Sequence, residues 1–90
     1  MLVLPAELTS QQASACLRML VQGLKASPEA QVVADATALQ KFDSSALAVL
    51  MECRREALAI GKSFSVMAMP PRLGELAGLY GVAELLPMVQ

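Results

Sequence analysis

Apolar positions follow two rhythms along the chain: short unbroken runs, and longer stretches in which they recur every third or fourth residue. Leu2-Val3-Leu4 is a run stopped by Pro5, which predicts a brief strand. Thr9 and Gln12 then stand at the spacing of a capping box. Beyond them Ala13, Cys16, Leu17, Leu20, Val21 and Leu24 share one helical face, with Gln11, Ser14, Arg18, Gln22 and Lys25 opposite. Ser27-Pro28 ends that helix, because a residue before proline is pushed out of the α region. Val32-Val33-Ala34 is the second strand, its unbroken apolar character predicting a sheet covered on both faces.

A polar link through Thr37, Gln40 and Lys41 leads to Phe42-Asp43-Ser44-Ser45, where short polar side chains precede Ala46 to Met51. That is a helix start, and the helix runs to about Ile60 before Gly61 stops it. Its core stripe is Leu47, Leu50, Met51 and Leu58, with Glu52, Arg55 and Glu56 toward solvent. Ser63 to Ala68 predicts a third strand, with Phe64 and Val66 on one face and Ser65 and Met67 on the other. Pro70-Pro71 opens a third helix with a stripe of Leu73, Leu76, Ala77 and Tyr80, capped by Gly81. Val82, Leu85 and Leu86 close against the core before Pro87. Short strands alternating with amphipathic helices predict a single α/β domain with a mostly parallel sheet and right-handed crossovers.

Ninety residues accommodate one core, which buries about 60–65% of the unfolded surface. The apolar share is 56%, but only Phe42, Phe64 and Tyr80 are aromatic, so packing is aliphatic, with Met19, Met51 and Met67 as adaptable fillers of the core. This surplus of apolar residues on a short chain predicts a surface that meets a protein partner. A net charge of −1 with scattered lysines leaves no phosphate-binding footprint, which argues against nucleic acid. The N-terminus lacks the marks of a signal peptide, and no apolar run approaches the roughly 20 residues of a membrane span. A cytoplasmic protein without direct membrane insertion is expected.

Chemistry has few candidates. There is no histidine, and Cys16 and Cys53 are far apart in sequence, so neither a Cys–His dyad nor a zinc site can be assembled. Both cysteines fit an apolar helix face and are expected to be reduced and structural. Asp35 ends a strand and Asp43 starts a helix, so both could lie on the C-terminal edge of the sheet. There they either bind a metal or simply close their own turns. No phosphate-cradling glycine motif is present. Gly74 and Gly78 allow close packing of the third helix. Ser44 suits two roles at a helix start, an N-cap or a regulatory serine whose phosphate would sit on unpaired backbone N–H groups.

Phe42-Asp43-Ser44-Ser45-Ala46-Leu47-Ala48-Val49-Leu50 resembles the D-[ST]-[SG]-G-L segment of STAS domains, named for sulfate transporters and anti-sigma factor antagonists. Leu2-Val3-Leu4-Pro5-Ala6-Glu7-Leu8-Thr9 is similar to the family's strand ending in G-E-L-[TD]. The ending Leu79-Tyr80-Gly81-Val82-Ala83-Glu84-Leu85-Leu86-Pro87 looks most like the MlaB type, a subunit of the ABC transporter that moves phospholipids to maintain outer-membrane lipid asymmetry. The resemblance spans residues 1–90 as one domain that begins at the family's second strand, so a sheet edge is expected to be covered by self-pairing or by the partner. It implies a non-enzymatic interaction subunit without cofactor, metal or catalytic residue, held at the inner membrane through an ABC transporter ATPase. The alternative it implies is an anti-sigma factor antagonist regulated by phosphorylation of Ser44. In either case Asp43, Ser44, Ser45, Ala46 and Ala48 would meet the partner. Ala46 and Ala48 stand where the family carries glycines, which makes this helix start bulkier and stiffer.

Overall fold

The structure is a computed structural model that describes residues 1–89. Three helices carry the chain between short strands: α1 over Ala13–Ala26, α2 over Ser44–Ala59 and α3 over Pro71–Leu79. The strands are β1 (Leu2–Val3), β2 (Glu7–Leu8), β3 (Gln31–Asp35), β4 (Lys41–Phe42), β5 (Ser63–Met67) and β6 (Met88–Val89). β1, β3, β5 and β6 form one sheet in that order, every pair parallel, while β2 and β4 form a small parallel pair of their own. The predicted α/β architecture with a mostly parallel sheet is therefore present.

The sheet is covered on one face only, contrary to the expectation from Val32-Val33-Ala34. Val32 and Phe64 are paired in register, as are Ala34 and Val66, and all four are buried with the helical leucines. The alternate row tells the other story: Val33, Ser65, Asp35 and Met67 are half-buried, and Val3 is 62% exposed. Ser63 and Ser65 on β5 carry the signal of a solvated face, and the small Val33 alone did not reveal it.

Beneath the covered face lies an aliphatic core that includes Leu4, Leu8, Leu24, Leu50, Leu73 and Leu86, all essentially solvent-free. Each such leucine contributes about 1.5–3 kcal/mol of transfer free energy. Cys16 and Cys53 are free thiols buried in this core. Four residues predicted for it are elsewhere: Met19, Leu58, Tyr80 and Leu85 are exposed. Toward the end of α2 the buried stripe runs through Cys53 and Ala57, four residues apart, and Leu58 falls beside it.

Helix boundaries follow local chemistry. Thr9 and Gln12 do interact, but as a turn rather than a helix cap. Gln12 Oε1 accepts from the Thr9 N–H at 2.8 Å, the Gln12 N–H donates to the Thr9 carbonyl, and α1 begins one residue later. α2 and α3 end in the same way. The Lys62 N–H reaches back to the Ala57 carbonyl (2.9 Å) around Gly61, and the Val82 N–H to the Ala77 carbonyl (2.9 Å) around Gly81. These are Schellman ends, and both glycines adopt the left-handed φ, 78° and 71°, that such ends require. β5 stops at Met67 because Ala68 turns into the left-handed region at φ 57°. Among the described residues no helix is long and apolar enough to cross a membrane.

Candidate functional site

The start of α2 is held by Asp43, not by Ser44. Asp43 has an extended backbone, and its Oδ1 accepts from the Ser45 N–H at 2.8 Å, as an N-cap side chain does. Its Oδ2 also accepts from the Ser10 N–H at 3.3 Å, which fastens the Thr9–Gln12 turn to the same helix start. The Ser45 N–H bond is the main reason that the Asp43 carboxyl titrates below its usual range. Ser44, relieved of capping, is the first helical residue and is exposed.

Ser44 stands at the rim of an open cavity of about 260 Å³ lined with Leu47, Ala48, Met51, Tyr80 and Val82. Helical spacing puts Ser44, Ala48 and Met51 along one face of α2. The opposite wall comes from the end of α3, where the left-handed turn at Gly81 swings Tyr80 and Val82 toward α2. Leu79 and Tyr80 beside it are 82% and 61% exposed. The result is a shallow, mainly apolar groove whose lining includes the hydroxyl-bearing side chains of Ser44 and Tyr80. Farther along α2, Arg55 pairs with Glu52 and Glu56, and that pairing holds the Glu52 carboxyl below its usual range. One half of the helix surface is thus apolar and the other charged but internally neutralised.

Of the predicted partner-facing residues, Asp43, Ser44 and Ala48 are exposed and Ser45 is half-buried. Ala46 is not on the surface. It is fully buried, because the third residue of the helix points inward with Leu47 and Leu50, and it supports the surface from beneath. Tyr80 and Val82 were missed as lining residues. Their only sequence signal is Gly81 between them, which marks a turn but not what the turn approaches.

Asp35 and Asp43 are both engaged in hydrogen bonds to turn and helix-cap groups, Asp43 to the Ser45 and Ser10 N–H groups. Asp35 Oδ1 accepts from both the Thr37 N–H (2.9 Å) and the Thr37 hydroxyl, and these bonds lower its carboxyl's titration. Among the described residues no three acidic or thiol side chains gather as a metal would require. Phe42, just ahead of Asp43, lies under the Arg72 guanidinium, which is 5.6 Å from the ring centroid. This contact ties the beginning of α3 to the approach of α2.

A one-sided parallel sheet, a helix start bearing an exposed serine and an apolar groove beside it define a small protein-interaction module. Residues 1–89 match the family model described as "Mlab, STAS domain", and the chain belongs to the STAS domain family. A protein from Planctomyces limnophilus described as an anti-sigma-factor antagonist (STAS) domain protein superposes with a TM-score of 0.79 at 16% identity, covering 96% of this chain and 77% of that one. A putative anti-sigma factor antagonist from Thermotoga maritima gives 0.80 at 13% identity, covering 98% and 77%. At such identities the likeness is one of fold. Among curated proteins none matches the chain. STAS domains are regulatory and interaction domains that bind partner proteins, and this chain is one of them.

Proposed function

We propose that this chain is the STAS subunit of an ABC transporter for phospholipids, binding and regulating its ATPase as MlaB-type proteins do. It acts in the cytoplasm and is held at the inner membrane through that ATPase. The observation that carries the reading is the groove beside Ser44, where exposed Ala48 and half-buried Met51 face Tyr80 and Val82 across an unfilled apolar space. Such a groove accepts an apolar anchor from a partner, and burying one leucine-sized side chain there contributes about 1.5–3 kcal/mol to binding. The description of the matching family model supports the MlaB type.

A second reading has its own support. Ser44 is exposed at the first position of α2, where a modifying partner reaches it, and the two structural neighbours are described as an anti-sigma-factor antagonist (STAS) domain protein and a putative anti-sigma factor antagonist. The two readings part in one experiment. The ABC ATPase encoded with the lipid transporter of the same organism and an anti-sigma kinase with ATP are each titrated against the chain by calorimetry, with mass spectrometry following Ser44. Tight binding of the ATPase, weakened about tenfold or more by Ser44→Leu at unchanged thermal stability, supports the transporter reading. Stoichiometric phosphorylation of Ser44 with loss of kinase binding, and no binding of the ATPase, replaces it with the second.

A further inference from the structure

A second cavity, of about 340 Å³, opens on the other side of the segment that follows α3. Met69, Ala77, Leu86 and Met88 line it together with Ala83 and Glu84. Glu84 is the one charged residue in the lining. The lining is thus mainly apolar, and its two methionines make it deformable.

This cavity adjoins an unpaired sheet edge. Among the described residues β6 lies at the end of the sheet and pairs only with β5. The Val66 N–H donates to the Pro87 carbonyl at 2.8 Å, so that carbonyl points into the sheet. In a parallel ladder the N–H and C=O of the next residue, Met88, then point outward. Met88 is paired in register with Val66, and its side chain therefore stands on the helix-bearing face, where it lines the cavity. One residue presents both a backbone donor–acceptor pair at the edge and a side chain at the pocket. A strand added outside β6 would hydrogen-bond to Met88 and direct alternate side chains toward the same apolar space.

We propose that the β6 edge and this cavity form a second docking site, which takes an extended segment of a partner protein carrying an apolar side chain and a neighbouring lysine or arginine. The apolar side chain enters between Met69 and Met88, and the cation faces Glu84. Charge selects this occupant over a second copy of the chain. The β6 edge of a second copy, Pro87-Met88-Val89, has no cation to offer, and pairing two copies β6 to β6 would bring a second Glu84 instead. The site is separate from the groove beside Ser44 and does not depend on which partner fills that groove.

The test uses the whole chain, isotopically labelled, and an end-capped peptide alternating lysine with leucine and valine. Its control carries glutamate in place of lysine. Amide shifts at Met88, Val89, Ala83 and Glu84, without shifts at Ser44 and Ala48, are expected with the basic peptide. Glu84→Lys weakens that binding about threefold, as a rim charge does, and removes the preference over the acidic peptide. Ala83→Leu, at an exposed position that tolerates it, narrows the cavity and weakens binding about tenfold. Equal affinity for the acidic peptide, shifts confined to the Ser44 groove, or no shift at millimolar peptide overturns the proposal. So does a concentration-dependent dimer in which the Met88 amide is protected without any peptide, because a second copy then holds the edge.

Discussion

Cys53 provides a sharp probe of how well the helical layer is closed. Its thiol, almost solvent-free on the inner face of α2, titrates at about 12 instead of 9.0. Loss of solvation on burial is the main cause, followed by the neighbouring Cys16 thiol and the Glu52 and Glu56 carboxylates. Three pH units correspond to roughly a thousandfold less thiolate at neutral pH, and thiolate is the form that reacts. Iodoacetamide at pH 8, read by peptide mass spectrometry, should therefore leave Cys53 unmodified in the folded chain over times that fully label it in urea. The same shift sets a pH dependence. A thiol whose folded value is raised binds its proton more tightly folded than unfolded, so its contribution to stability is complete below pH 9 and is lost as pH rises from 9 toward 12. Urea midpoints should fall across that window. Cys53→Ala should flatten the fall while lowering stability at neutral pH by about 1 kcal/mol through the small void it leaves. Labelling of native Cys53 at its urea rate, or an alkaline fall undiminished in Cys53→Ala, would refute the burial argument.

Four further outcomes are expected. Ser44→Ala should change thermal stability by less than about 0.5 kcal/mol, because the exposed first helical residue is not the cap. Asp43→Ala should lower the melting temperature clearly more, and the deficit should shrink as acid protonates Asp43 in the parent chain, since a depressed carboxyl loses its contribution as pH falls through its folded value. Ala68→Gly should stabilise the chain by about 1 kcal/mol in chemical denaturation, by relieving a left-handed alanine. Gly61→Ala and Gly81→Ala should each cost about 1 kcal/mol by the same measurement, and Gly81→Ala should also disturb the Ser44 groove through Tyr80 and Val82.

What could be read from the sequence was whatever depended on spacing within one element. The helical stripes of Cys16, Leu20 and Leu24 and of Leu47 and Leu50, the alternation at Phe64 and Val66, and the caps at Gly61 and Gly81 all appear where the pattern places them. Features that depend on one segment meeting another did not show. β2 and β4 are two residues each and exist through pairing across the chain, Glu7 with Lys41 and Leu8 with Phe42. β6 is likewise defined by β5, and Met88-Val89 alone carries no strand signal. The same limit applied to the site. Asp43-Ser44-Ser45 announced a helix start, but Asp and Ser are equally good caps, and the bonds to Ser45 and Ser10 decide for Asp43. Ala46 and Ala48 look alike in sequence, yet their two-residue separation on α2 sends one into the core and the other to the surface.

The left-handed turn at Gly81 leaves Val82 lining one cavity and its neighbour Ala83 lining the other. Two adjacent residues, held by one Schellman end, thus stand between the two recesses, and α3 reaches both as well, with Ala77 lining one and Tyr80 the other. The conformation of one glycine therefore bears on the walls of both recesses, so a substitution at Gly81 reaches two surfaces that are far from each other in the chain's element order.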